Sequence, residues 1–240
     1  TDASWDHYVV PLGLAERDQQ EKLAREAPGS IMARLRLPEA EGVLYEATVQ
    51  PDLHRTLLEM IARGRTRKMD GGRIISRRGA AFGTILGDKT LPLAARVFGG
   101  EQSNTAILYS DTFFLKLYRR VEEGTNPDTE LSRLLTENTS FTHLPAYAGS
   151  IEWRRENAAP ITLALLQQLV PNQGDAWSFA LDNLDSSLTH ALTLKGQVSP
   201  LPPLPVSLFD VHPDTIPPMV RDFIGPVLID MIDLLGRRTG

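Results

Sequence analysis

Gly99-Gly-Glu-Gln-Ser-Asn-Thr-Ala-Ile-Leu-Tyr-Ser-Asp-Thr-Phe-Phe-Leu-Lys-Leu-Tyr118 is the stretch that decides how the rest of this chain is read. Thr105–Tyr109 and Phe113–Tyr118 are short apolar runs separated by turn residues Ser110-Asp111, which predicts a β-hairpin. In the second run Phe113, Leu115 and Leu117 share one face, and Phe114, Lys116 and Tyr118 share the other. Lys116 is then a lone cation flanked by aromatics on a strand. Twelve residues on, Asp128 and Glu130 open a helix, with Asn126 suited to cap it and Pro127 to its first position. Leu131, Leu134 and Leu135 recur in that helix at core spacing, with Glu130 at the edge of the stripe.

A Gly-rich turn between strands, a strand lysine and a following helix glutamate are the parts of a kinase amino-terminal lobe. The turn offers backbone N–H groups to phosphate oxygens, the lysine neutralises α/β-phosphate charge, and the glutamate fixes the lysine by an ion pair. The same residues also suit a lysine snorkelling to solvent and Glu130 paired with Arg133. Spacing alone leaves both readings open.

The wording of four segments goes further. Glu101-Gln-Ser-Asn-Thr, Phe114-Leu-Lys-Leu-Tyr-Arg-Arg120, Gly124-Thr-Asn-Pro-Asp-Thr-Glu130 and Gln173-Gly-Asp-Ala-Trp177 resemble the bacterial maltokinases. These enzymes have an aminoglycoside-phosphotransferase-like kinase fold and make maltose 1-phosphate from ATP, and many are fused behind a trehalose synthase. The resemblance implies that Gln102, Ser103 and Asn104 lie in the phosphate-binding loop, Lys116 on the ATP phosphates and Glu130 against Lys116. It also implies an α+β chain in three parts: an antiparallel-sheet cap subdomain over 1–90, a protein-kinase-like small lobe over 91–172, and the first helices of a large lobe over 173–240.

Composition limits the alternatives. The 240 residues, 42% hydrophobic, suffice for a real core, and the absence of cysteine removes disulfides and thiolate metal sites. A formal net charge of −5 argues against a general nucleic-acid binder. No apolar run has the length of a membrane span and no secretory leader is visible, so a cytoplasmic setting is expected. The chain begins at Thr1, as an excised or processed piece would.

Along the chain, strands are predicted over His7–Ala15, with Pro11 at an edge or bulge, Ser30–Leu37, and Gly42–Thr48 after a Glu41-Gly42 turn. A helix capped by Asp52 runs to about Arg63 and ends at Gly64. Short strands follow over Arg73–Arg77, Ala80–Leu86 and Ala94–Phe98. The basic cluster Arg63, Arg65, Arg67, Lys68, Arg73, Arg77 and Arg78 invites an anion-site reading, and solvated loop charge is the preferred one, since the overall balance is acidic and no aromatics interleave. Beyond the hairpin, His143–Trp153 and Ile161–Val170 read as two more strands of the same sheet, the second apolar enough to be central. By the resemblance, the chain then passes through a kinase hinge, with adenine bonded to backbone groups at about Gln168–Val170. Asp175 caps a helix in which Trp177, Leu181, Leu184 and Leu188 fall at core spacing. Seven prolines between Pro200 and Pro218 mark a stiff, extended connection over 195–218, and a helix interrupted by Pro226 spans Met219–Arg238.

A kinase of this type also needs an aspartate to accept the substrate proton and further groups to hold Mg²⁺. In the family these lie on a His-Gly-Asp loop and an Asp-Phe-Glu-like segment. None of His7, His54, His143, His190 or His212 is followed by Gly-Asp. Asp222-Phe-Ile-Gly225 reads as helix packing. The expectation is therefore the ATP-binding portion of a maltokinase, inactive alone, with ATP and maltose as substrates of the parent and Mg²⁺ ligands outside these residues. Trehalose synthase is a possible fused or separate partner. The alternatives are a related small-molecule kinase with another acceptor, such as an aminoglycoside or choline, and a non-catalytic nucleotide-sensing or partner-docking module.

Overall fold

Residues 6–36, 41–99, 103–172, 174–193 and 226–239 are described by a computed structural model, in which the chain forms two units, Thr1–Pro171 and Asn172–Gly240. The first unit opens with β1 (His7–Tyr8) and β2 (Leu12–Glu16), followed by α1 (Arg17–Glu26), β3 (Ile31–Arg36) and β4 (Glu41–Glu46). Pro11 separates β1 from β2, so the single strand expected there is two. Glu41 and Gly42 pair within β4 instead of turning before it, and Ala47–Val49 is a 3-10 turn. The strand order β2-β4-β3 makes a small antiparallel sheet, closed by Ala15, Leu23, Val43 and Tyr45. Gly13 is required in it, because a Cβ there would stand 2.4 Å from the Tyr45 ring.

Helix α2 (Pro51–Ala62) starts from Gln50 as its cap, with Pro51 at the first position, so Asp52 lies inside the first turn. Gly64 ends it in a left-handed conformation, φ +57°. There follow β5 (Thr66–Met69), β6 (Gly72–Arg78), α3 (Phe82–Leu86), β7 (Ala95–Phe98), β8 (Asn104–Tyr109), β9 (Phe113–Tyr118), β10 (Arg120–Val121), α4 (Pro127–Asn138), β11 (Tyr147–Arg154) and β12 (Ile161–Gln168). Phe82–Leu86 is thus a helix where the sequence predicted a strand. The Gly79 N–H donates to Ala148 O at 2.8 Å and turns the chain, and the Phe82 ring then stacks on Phe113 at 4.8 Å. A short apolar run carries no period that separates the two forms.

Seven strands form one sheet in the order β5-β6-β11-β12-β9-β8-β7, antiparallel throughout. The two strands over 66–78 therefore extend the same sheet as the predicted hairpin, across the boundary expected near residue 90. One core joins Leu58 and Ile61 of α2 and Phe82 of α3 to Phe113 and Leu115 of β9, Ile151 of β11 and Leu166 of β12. A second joins Tyr118, Tyr147, Ile161 and Leu165. Tyr109 anchors α2 to the sheet: its hydroxyl donates to His54 O at 2.7 Å, and burial pushes its phenol above the ordinary range, so it remains a donor.

In the second unit α5 (Ala176–Thr193) is capped by Asp175, whose carboxylate accepts the Ser178 N–H at 2.8 Å and the Ser178 hydroxyl at 2.9 Å. These bonds hold its pKa below the usual carboxylate range. Trp177 is 73% exposed, and Leu181, Leu184 and Leu188 are exposed with it, so the core stripe expected on this helix is not buried. Helix α6 (Pro226–Thr239) covers the carboxy-terminal part of the helix expected over Met219–Arg238, and residues 219–225 lie outside the described residues. The proline-rich connection and Asp222-Phe-Ile-Gly225 lie outside the described residues.

Candidate functional site

Lys116 occupies the middle of β9, with Ala106 of β8 opposite on one side and Leu165 of β12 opposite on the other. Directly paired residues share a sheet face, so the lysine stem crosses a floor made by a methyl group and a leucine, both fully buried. Asn104 pairs with Tyr118 and stands on this same face, two residues before Ala106. Its amide donates to Ser103 Oγ at 3.3 Å. Asn104 thus lies on the lysine's face at the start of β8, with Ser103 just before it; Gln102 lies outside the described residues.

The charge opposite Lys116 comes from the start of α4. Gly124 adopts φ +111°, and its N–H donates to Pro160 O at 2.8 Å; the Asn126 N–H donates to Thr162 Oγ1 at 3.1 Å. These bonds tie the approach loop to the head of β12. Asn126 Oδ1 then accepts the Asp128 N–H at 2.9 Å, Pro127 enters the helix, and the Asp128 carboxylate lies at the sheet-facing edge of the first turn. Lys116 Nζ donates to Asp128 Oδ2 at 3.2 Å.

The ion pair expected between Lys116 and Glu130 is therefore not the one formed. Asp128 and Glu130 are two residues apart, about 200° around a helix, and cannot face the same lysine. The orientation follows from how α4 docks. Its buried positions are Thr129 and Ser132, and Leu131 and Leu134 are 56% and 49% exposed. Hydroxyls make the attachment: Gln167 Nε2 donates to Ser132 Oγ at 2.8 Å, and the Tyr147 N–H donates to Thr136 Oγ1 at 2.9 Å. Glu130 falls on the opposite flank, with Arg133 and Glu137 at helical spacing. There Glu137 accepts from the Arg133 guanidinium and from the Ala80 N–H, so the Glu130–Arg133 pair does not form either.

At the expected hinge, the Gln168 N–H donates to Ala146 O and the Leu169 N–H to Thr112 O, both at 2.9 Å. These two amides are committed to the protein, so a base at this edge has to be read by other groups. Gln168 and Val170 are both exposed.

In the sequence Asp128 stands out as a helix opener but not as the lysine's partner, and Ala106 carries no signal of its place under the lysine. The available signal was the cap itself: once Asn126 and Pro127 fix the helix start, Asp128 is the acidic residue nearest the sheet. Among the described residues no group of three or more His, Cys, Asp or Glu could hold a metal ion, and no helix is long and apolar enough to cross a membrane.

No protein-family model matches the chain. Among solved structures it is similar to a glucosamine kinase in complex with glucosamine, ADP and inorganic phosphate, with a TM-score of 0.43 and 13% identity over 78% of this chain and 38% of that one. It is also similar to a glucosamine kinase in a second crystal form, with a TM-score of 0.29 and 18% identity over 54% of this chain and 37% of that one. The chain spans less than two-fifths of the length of either, and neither similarity at this level assigns it an activity.

Proposed function

We propose that this chain is the nucleotide-binding portion of an ATP-dependent small-molecule kinase, and that the parent is a maltokinase that transfers the γ-phosphoryl group of ATP to maltose. One observation carries the reading. The second strand after β7 and the Gly-rich turn bears a lysine held at 3.2 Å by a carboxylate from the next helix, over a floor reduced to Ala106 and Leu165. A strand lysine fixed by a helix carboxylate, following a glycine-rich turn in the chain, is what a kinase needs to draw α/β-phosphate charge. The maltokinase-like wording of the same segments supports maltose as acceptor.

In this reading Lys116 neutralises phosphate charge and Asp128 orients it, in the place the sequence had given to Glu130. Gln102, Ser103 and Asn104 surround the phosphates at the turn, and the edge at Gln168–Val170 borders the base. The proton acceptor and the Mg²⁺ ligands belong to parts of the parent beyond this constellation, and the 240-residue chain alone has no kinase turnover. Calorimetric titration with ATP tests the assignment. Weak binding is expected, reduced at least tenfold by Lys116→Met. Equal affinity of the two forms refutes the site, and maltose-dependent ATP turnover by the wild-type chain refutes the division of labour.

A second reading, a docking module for a trehalose synthase partner, draws on Leu12, Leu14 and Met32, which stand 53%, 49% and 57% exposed on β2 and β3. Under it, Leu14→Asp abolishes co-purification with that enzyme and Lys116→Met leaves it intact.

A further inference from the structure

The basic cluster of the sequence does not survive as one group. Arg63 pairs with Glu59, Arg77 lies 3.6 Å from Glu152, and the Arg78 guanidinium lies over the Phe82 ring. What the fold assembles instead is a different set. In the sheet, Lys68 of β5 is paired directly with Arg73 of β6, and Arg73 directly with Arg154 of β11. Three cations thus stand in one cross-strand row on one face. Like charges directly opposite each other destabilise a sheet, and this row places two such pairs side by side.

Arg154 is partly compensated by Glu152, at 2.9 Å, and Arg155, just beyond it, is paired with Glu123 and lies over the Trp153 ring at 5.1 Å. Among the described residues, Lys68 and Arg73 have no carboxylate within ion-pair distance. The row borders a cavity of about 490 Å³ lined also by Met69, Gly71, Arg155 and Glu156. The β5–β6 turn forms part of its lining. Gly71 is left-handed there, φ +77°, and a Cβ on Gly72 would stand 2.5 Å from Arg154 O and 2.9 Å from Trp153 Nε1.

Charged residues on an edge strand are a common guard against edge-to-edge aggregation, and that accounts for Lys68 on β5. It does not account for Arg73 and Arg154, which sit on β6 and β11 inside the sheet. We propose that this cavity binds a phosphate group, free or as the ester of a small hydroxylated molecule. The Arg73 guanidinium fork and the Lys68 ammonium line it together with Arg154, whose Nε and one terminal nitrogen are held by Glu152, and such cationic donors suit a tetrahedral oxyanion. The volume falls within the range of small-molecule pockets, leaving room for an esterified body beside the phosphate. By strand spacing, Arg154 lies roughly 16 Å from Lys116, two strands across and four residues along, so this site is separate from the one proposed for nucleotide.

The test is calorimetric titration of the 240-residue chain with inorganic phosphate and, separately, with glucose 6-phosphate, alongside thermal melts. Saturable binding of at least one is expected. The double variant Lys68→Ala/Arg73→Ala should weaken it at least tenfold, and Arg25→Ala on α1 should leave it unchanged. The melts supply an independent sign: without phosphate the double variant should melt at or above the wild-type temperature, since it relieves repulsion, and added phosphate should stabilise only the wild type. Tighter binding of the sugar phosphate assigns the site to an ester; equal binding assigns it to the free ion. No saturation up to about 10 mM, or binding unchanged in the double variant, overturns the proposal. So does loss of phosphate binding on Lys116→Met with the double variant unaffected, which would place the anion at the nucleotide site.

Discussion

Replacing Asp128 by Asn is the perturbation that best separates the arrangement described here from the one the sequence suggested. The Lys116–Asp128 pair is 3.2 Å long, with the side chains 27% and 57% exposed. Coulomb attraction at that distance is about 1.3 kcal/mol in a water-like dielectric. The cost of ordering two side chains reduces such half-exposed pairs to about 0.2–1 kcal/mol. Asp128 also lies in the first turn of α4, where a carboxylate contributes about 0.3–1 kcal/mol against the helix dipole. Asp128→Asn should therefore cost about 1 kcal/mol in urea unfolding, a change the fold tolerates. ATP affinity should fall more steeply, by about tenfold, because the lysine is then free to leave its position over Ala106. Glu130→Gln loses only part of the dipole contribution, a few tenths of a kcal/mol, and should leave ATP binding unchanged. The reasoning is refuted if Glu130→Gln lowers nucleotide affinity and Asp128→Asn does not, since α4 would then have to turn its opposite flank to the lysine when nucleotide binds.

Other perturbations test the scaffold. Tyr109→Phe removes the buried bond to His54 O and should cost about 1 kcal/mol in urea unfolding. Leu115→Ala empties a fully buried position between β8 and β12 and should cost about 2–5 kcal/mol. Gly149→Ala would set a Cβ 2.3 Å from Ile61 Cγ2 and 2.5 Å from Arg77 O, and should destabilise by about 3 kcal/mol, whereas the same change at Gly29, where a Cβ meets nothing within 4 Å, should be nearly silent. The hydrogen bond from Lys89 holds the Asp111 carboxyl below its usual range, so it stabilises the fold above the ordinary carboxylate pKa and ceases to do so as pH falls through the lowered value. Thermal melts of Asp111→Asn should accordingly lie below wild type at pH 7 and converge with it in strong acid.

The hairpin around Ser110-Asp111 and the start of α4 were legible because each has its own local signal: alternation around a turn, and a capping residue followed by proline. Helix α1 and strand β5 were not read as elements. Leu23 is the one buried position of α1, and β5 is a fully exposed run of Thr, Arg, Lys and Met, so neither shows an apolar stripe. The lysine partner was misassigned for a related reason. The leucine stripe of α4 suggested which face meets the sheet, but the buried face is the one bearing Thr129, Ser132 and Thr136, about 140° around the helix. Hydrophobic periodicity orients a helix only when leucines do the docking. Here the deciding groups are the Gln167 amide and the Tyr147 N–H, whose positions depend on strands far along the chain. Lys68 and Arg73 stand out in the sequence as part of a basic cluster, but their alignment with Arg154 is not legible there, because Arg73 and Arg154 are 81 residues apart in the chain and adjacent only in the folded sheet.

Fastening α4 by hydroxyls also bears on how it can move. Interlocked leucines resist sliding at every intermediate position, whereas two or three hydrogen bonds can be exchanged singly, each for a water or a neighbouring donor, at about 1 kcal/mol apiece. The element that steers Lys116 is thus attached like a latch, definite in its resting position and cheap to lift.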